Sequence, residues 1–368
     1  MSVNPSAKSS VLEPIPYVVE STPFKGGHRQ VFKEMTADEL AFLRVKTDAD
    51  RAGTDTVDAP SWTAVDVSAA LDGDGPPMPT VFSREDGAHL FYAGKVHSVH
   101  GESESGKSWL VQCAVAQTLE RGGSVLYADF EDDAASVAGR LLLLGVPKHV
   151  VVDPGRFVYV RPENSLKIPV EAAAFAQLIG RDFTLAVIDG VTDAMGLFGF
   201  SVKDNDDIAA FQREVPRAVA RRTGAAVVCV DHVTKDADSR GRFAIGGQHK
   251  MAALDGAAFV VDVETVFAVG MAGVASVRVA KDRPGHVRNL GGAWRRADRT
   301  QLVAHLHLDS TNLDRTEWRL EAPENCRSAS GGYLDRWSSS REANDGRVPP
   351  DVVHGAGQPV LGRDRRRE

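Results

Sequence analysis

The sequence predicts an α/β protein, a mainly parallel sheet flanked by helices with antiparallel strands at its C-terminal end. Three observations lead there. From Lys95 to about Leu308, short apolar runs of four to seven residues alternate with helical segments, the pattern of a parallel sheet covered by helices. The first run leads directly into a glycine-bounded turn that opens a helix. After Asp231 the runs follow one another in the manner of hairpins, so antiparallel strands close the sheet.

In chain order, the strands are expected at Val96–His100, Ser124–Asp129, Phe157–Val160, Thr184–Asp189 and Ala225–Asp231. Helices fit between them at Lys107–Arg121, Ala134–Leu144, Val170–Gly180 and Asp206–Arg222. The hairpin strands are expected at Ala257–Phe267, Ala275–Lys281 and Gln301–Leu308. Residues 61–310 form the main domain with its lead-in. Residues 1–60 read as an arm, partly flexible, with one helix opening at Thr36-Ala37-Asp38-Glu39, a capping-box spacing followed by Leu40 and Leu43. Residues 311–368 read as a flexible tail, disordered from Glu321 onward, where Gly, Pro and Ser replace periodicity. The closing Arg363-Asp364-Arg365-Arg366-Arg367 is a solvated terminus.

Composition bounds the function. The 368 residues are 43% hydrophobic and 25% charged, with a formal net charge of −7. A bulk-basic nucleic-acid binder is thereby excluded, and any such contact must be local. Cys113, Cys229 and Cys326 form no CxxC pair or Cys/His cluster, which argues against a disulfide scaffold or a zinc module. The longest mostly apolar stretch, Ala257 to Val277, is interrupted by Asp262 and Glu264, so no membrane association and a reduced, cytoplasmic setting are expected.

The chemistry concentrates at Gly101-Glu102-Ser103-Glu104-Ser105-Gly106-Lys107-Ser108, a full G-x-x-x-x-G-K-[ST] pattern between an apolar strand and a helix. The glycines let the backbone curl so that successive N–H groups point at phosphate oxygens. Lys107 supplies a charge near the β- and γ-phosphates, the Ser108 hydroxyl can ligate Mg²⁺, and the helix N-terminus, continuing into Trp109, favours the anion. The expected ligand is ATP with Mg²⁺. A second carboxylate for the metal is expected at the end of a neighbouring buried strand, and Leu185-Ala186-Val187-Ile188-Asp189 supplies Asp189. Gly190 follows it where some ATPases place the catalytic base, so the base must come from elsewhere. Tyr127-Ala128-Asp129-Phe130-Glu131-Asp132-Asp133 ends the strand after the first helix. Glu131 is the choice for the base, with Asp129 and Asp132 as competitors.

Together these residues resemble the RecA-like P-loop ATPases, most closely the RepA-like group of plasmid and phage replicative ATPases and helicases. The resemblance covers about Trp62 to Leu308. It also draws on Val230-Asp231-His232-Val233-Thr234-Lys235 and Lys281-Asp282-Arg283. It implies Glu131 as the base, Arg140 near the nucleotide base, and His232 as a sensor of the γ-phosphate. It implies that Lys281 and Arg283 reach a neighbouring subunit's nucleotide in a homo-oligomer, a hexameric ring. The segment between His232 and Ala253 would face the ring's channel and touch single-stranded DNA through Arg240, Arg242 and Lys250. From His232 to Lys250 four Lys or Arg residues stand against two Asp, with Phe243 as the aromatic, which suits backbone tracking.

Two functions of different kind follow. One is a ring-forming, DNA-stimulated motor in replication of a plasmid or phage-like element. The other is an ATP-controlled clamp or signalling ATPase recruited by a protein partner through residues 1–60, without unwinding. Rival P-loop classes fit worse. Ile245-Gly246-Gly247-Gln248 is similar to a transporter signature but follows Asp189 instead of preceding it. No N-K-x-D occurs for guanine, and no second lysine opens the P-loop as in partition ATPases. A small-molecule kinase, which needs an arginine-rich lid, ranks last.

Overall fold

The computed structural model describes residues 16–24, 27–34, 64, 67, 77–233, 244, 247–324 and 326. The chain divides into two compact units, Met1–Ala69 and Ala70–Glu368. In the first, β1 (Pro16–Phe24) and β2 (Gly27–Glu34) pair antiparallel as a hairpin. The helix expected to open at Thr36 lies outside the described residues.

The second unit is built on a ten-stranded sheet. Its parallel part runs β10 (Ala257–Thr265), β5 (Val96–Gly101), β9 (Ala226–His232), β8 (Leu185–Asp189), β6 (Val125–Asp129), β7 (Phe157–Val160). Antiparallel β11 (Ala272–Asp282), β13 (Thr300–Asp309), β12 (Trp294–Arg295) and β14 (Glu317–Glu321) extend it beyond β10. This is the mixed sheet predicted from sequence, and each expected strand is present. β14 carries the domain past residue 310, into the stretch expected to be tail. A short hairpin, β3 (Val81–Ser83) and β4 (His89–Phe91), leads in. Buried Arg84 ties that lead-in to the antiparallel strands, bonding Asp86 and the carbonyls of Leu290 and Val303.

Both faces of the sheet are buried because strand side chains alternate. Val125, Tyr127, Leu185, Val187, Val228 and Val230 pack on one side. There they meet α1 (Lys107–Glu120), buried at nearly every position, and α2 (Ala134–Leu143). Leu126, Ala186, Ile188, Val227 and Cys229 face the other side. There they meet α5 (Val191–Leu197), α6 (Asn205–Glu214), α7 (Pro216–Thr223) and α8 (Gly247–Ala253). Short α3 (Lys148–Val151) and α4 (Pro169–Leu178) flank β7 in sequence, and α9 (His286–Asn289) follows β11. The single helix expected over Asp206–Arg222 is two. Pro216 has no N–H to donate and its ring clashes with the preceding turn, so α6 ends and α7 restarts there.

His97 on β5 is wholly buried between Tyr92 and the backbone. Its Nδ1 lies 3.1 Å from the Val227 carbonyl and its Nε2 accepts from the Tyr92 N–H at 3.0 Å. That pairing uses Nδ1–H as donor and Nε2 as acceptor, the neutral ring, and burial pushes its pKa down to about 4. Between that value and the ordinary 6.5 the unfolded chain binds a proton that the folded one refuses, so stability is lost as pH falls through this window. Relative to a His97→Leu variant, the wild type is expected to lose about 3 kcal/mol between pH 7 and pH 4. Urea unfolding of the two proteins side by side reads this, and parallel pH profiles would refute it.

Candidate active site

The C-terminal ends of the parallel strands meet at one edge, where open α/β sheets bind their ligands. The register sets the levels: Gly101 opposite His232, His100 opposite Asp231, Asp189 opposite Val230, and Asp129 opposite Asp189. β9 lies between the strand that enters the P-loop and the strand that ends in Asp189.

The P-loop is closely curled. A Cβ on Gly101 would run into the Val261 carbonyl and come within 2.6 Å of Ser105 Oγ. Glu104 and Gly106 both have positive φ, 63° and 90°. Gly106 is the N-cap of α1, and no side chain caps that helix, so its first N–H groups are available to an anion. The buried Ser105 Oγ has no hydrogen-bond partner. Lys107 is 6% exposed, and its ammonium donates back to the Glu102 carbonyl. Burial lowers its pKa, while Glu131, Asp189, Asp231 and Glu102 pull it up. Ser108 stands half-buried in the first turn, and Glu102 and Ser103 are exposed.

Asp189 is 5% exposed and accepts from the Tyr127 hydroxyl at 2.5 Å. Burial raises its pKa to about 6; Asp129 and Glu131 add to the rise, and the Tyr127 bond and Lys107 oppose it. An uncapped helix start, an orphaned serine hydroxyl and crowded carboxylates around one lysine together fit a triphosphate with its divalent cation. Ser108 and Asp189 would be the residues to hold such a cation.

The structure separates the three acidic candidates after β6. Asp129 is fully buried and spoken for: it accepts from the N–H groups of Glu131 (3.0 Å) and Asp132 (2.9 Å) and from the Tyr159 hydroxyl (2.9 Å). Asp132 pairs with Arg140 at 3.1 Å. Glu131 Oε1 lies 3.2 Å from His232 Nε2, which leaves its other oxygen free for a water. Gly190 makes room for this arrangement. With φ of 85°, a Cβ there would stand 2.7 Å from Glu131 Cγ, so the glycine lets Glu131, just after β6, lie against the turn that follows Asp189 at the end of β8.

Arg140 also stacks over Trp109, 5.8 Å from the ring centroid, and Trp109 meets the edge of Phe267 at 5.1 Å. The two residues expected around the nucleotide therefore do come together. Other expectations need correction. Lys250, expected on a DNA-facing loop, is 5% exposed and bonds Asp231 at 2.6 Å. Its charge is spent inside the protein. Lys281, expected to reach a neighbouring subunit, donates to the carbonyls of Met251 (2.6 Å), Ala252 (3.1 Å) and Leu254 (2.8 Å) at the end of α8. All three of its protons are used. Arg283 is exposed. Arg240 and Arg242 lie outside the described residues, but Val233 and Ala244 pair as an isolated bridge, so the segment bearing them starts and ends beside His232.

The sequence reading gave Asp231 no role. It accepts from Thr192 Oγ1 (3.0 Å), the His232 N–H (2.9 Å) and Lys250. An acidic residue closing an apolar strand was its only signal.

A P-loop beside two carboxylates at neighbouring strand ends, Asp189 and Glu131, has the make-up of a P-loop ATPase site. Residues 80–238 match the family model of the AAA domain, which spans the P-loop, Glu131, Asp189 and His232. No curated protein matches the chain. No helix among the described residues is long and apolar enough to cross a membrane.

Proposed function

We propose that this protein is a RecA-like, RepA-type ATPase that hydrolyses Mg·ATP as an oligomeric ring, the motor type expected from sequence, moving on single-stranded DNA.

 The observation that carries this reading is the Glu131–His232 contact, made across the ends of β6 and β9 beside the P-loop. The base thereby touches the strand end from which the Arg240–Arg242 segment departs. A ligand gripped by that segment acts on the position of the base.

In this reading the N–H groups at the start of α1, Ser105 and Lys107 hold the phosphates. Lys107 exchanges the Glu102 carbonyl for a phosphate oxygen. Arg140 and Trp109 border the nucleotide base. Bound Mg²⁺ supplies positive charge against the phosphate oxygens, held by Ser108 and Asp189. Glu131 orients a water and takes its proton as the water oxygen bonds the γ-phosphorus and the bond to the ADP oxygen breaks. His232 holds Glu131 and faces the γ-phosphate. Arg283 is the residue left to serve a neighbouring subunit, since Lys281 is committed within its own chain.

The burial of Lys250 favours a second reading, because it leaves Lys235, Arg240 and Arg242 against Asp236 and Asp238 in the segment after His232. A site with so little net charge also suits a clamp recruited by a protein partner through residues 1–60. ATP hydrolysis by the full chain with and without single-stranded DNA separates the two. Stimulation of about tenfold or more, falling as salt rises, is expected for the motor. Hydrolysis indifferent to DNA overturns it in favour of the clamp.

A further inference from the structure

Asp231 joins three segments that are distant in sequence. One oxygen accepts from Thr192, at the start of α5 directly after Asp189-Gly190-Val191, and from the backbone N–H of His232. The other accepts from Lys250 on α8. The pair is buried, with side-chain exposures of 6% for Lys250 and 3% for Asp231. Neither charge has water to turn to, so each depends on the other for its position.

The seat of α8 is not set by close packing alone. A cavity lies beneath the ion pair, lined by Ser98, His100, Gln212, Cys229, Met251 and Lys250 among others, and Gln212 Oε1 is buried there without a hydrogen-bond partner. Polar ties add to the packing of Met251 and Leu254. Lys250 fixes it to the strand end, and Lys281 and Arg217 bind the carbonyls at its C-terminal end.

We propose that Lys250 is a positioning residue for ATP hydrolysis: by orienting Asp231 it sets the backbone of His232, and through His232 the carboxylate of Glu131. This rests on the ATPase reading above. The link is short, one residue separating the Asp231 carboxylate from the ring that touches Glu131. Displacement of α8 therefore moves the base, and occupancy of the phosphate site bears on α8.

The test uses the full chain with Mg²⁺ and a non-hydrolysable ATP analogue. Lys250→Met leaves the Asp231 carboxylate buried and unpaired, so the double variant Lys250→Met/Asp231→Asn, which removes both charges, accompanies it. Binding of the analogue, melting temperature, kcat and KM are measured for each, with amide exchange over α8 in the wild type. In the double variant we expect analogue affinity within about threefold of wild type and a recovered melting temperature, with kcat still reduced ~10²-fold by the misplaced base. In the wild type the analogue slows exchange in α8. Recovery of kcat together with melting temperature in the double variant reduces the pair to a structural tie and overturns the proposal. So does wild-type kcat in Lys250→Met, or exchange in α8 that ignores the analogue. Failure of the wild type to bind the analogue at all removes the ATPase reading and the proposal with it, and is thereby distinguished from these.

Discussion

Lys107→Ala is expected to lower ATP turnover by ~10³-fold or more, with the fold intact. The size follows from the charges around it. Glu131, Asp189, Asp231 and Glu102 all act on the Lys107 ammonium, and Lys250, the nearby cation on α8, is tied to Asp231. Truncation leaves a carboxylate-rich site facing a polyanion, so both nucleotide affinity and transition-state stabilisation suffer. The hydrogen bond lost from the folded protein is one to a loop carbonyl, and the melting temperature should stay near that of the wild type. Phosphate release by the purified variant measures the effect. Unchanged turnover would remove the P-loop from the chemistry.

Glu131→Gln is expected to keep nucleotide binding and lose ~10²-fold or more in turnover. Glutamine preserves the length of the side chain and a partner for His232, but cannot accept the proton of the attacking water. The neighbouring acids provide the contrast. Asp132→Asn weakens the tie to Arg140 and should change turnover little. Asp129→Asn disturbs the three bonds that shape the turn, so its loss should appear in thermal stability as well as rate. Single-turnover hydrolysis with bound nucleotide quantified separately distinguishes them. An inactive Asp132→Asn beside an active Glu131→Gln would place the base one residue further on.

Much of this architecture was legible because a parallel sheet writes its strands as unbroken apolar runs. Leu185-Ala186-Val187-Ile188-Asp189 is buried at all five positions, and a strand covered on both faces has no polar side to confuse the reading. The P-loop was legible for a different reason: its spacing is dictated by the phosphates and tolerates little variation. α5 was missed because Val191-Thr192-Asp193-Ala194-Met195-Gly196-Leu197 is short and starts from a positive-φ glycine instead of a side-chain cap. The break at Pro216 was visible in the sequence, yet amphipathic periodicity on both sides of it argued for one helix. Lys250 and Lys281 were misassigned because a cation in a Gly-rich or turn-bounded segment carries no mark of whether its partner is a ligand or a carbonyl in its own chain. Their partners, Asp231 and the end of α8, lie 19 and 27 to 30 residues away, and only the tertiary fold brings them within reach.

The self-bonded Lys107 carries a consequence for which anions the loop admits. Before any ligand arrives, one of the three ammonium protons is already given to the Glu102 carbonyl, so occupation of the cradle is partly an exchange. A small anion that offers a single oxygen can meet Lys107 but leaves most of the other donors of the loop unused. A chain of phosphates that also engages Ser105 Oγ and the uncapped start of α1 gains bonds that nothing in the protein was making. The loop thus discriminates by the reach of its ligand more than by its charge, and stray monovalent anions are poor competitors for it.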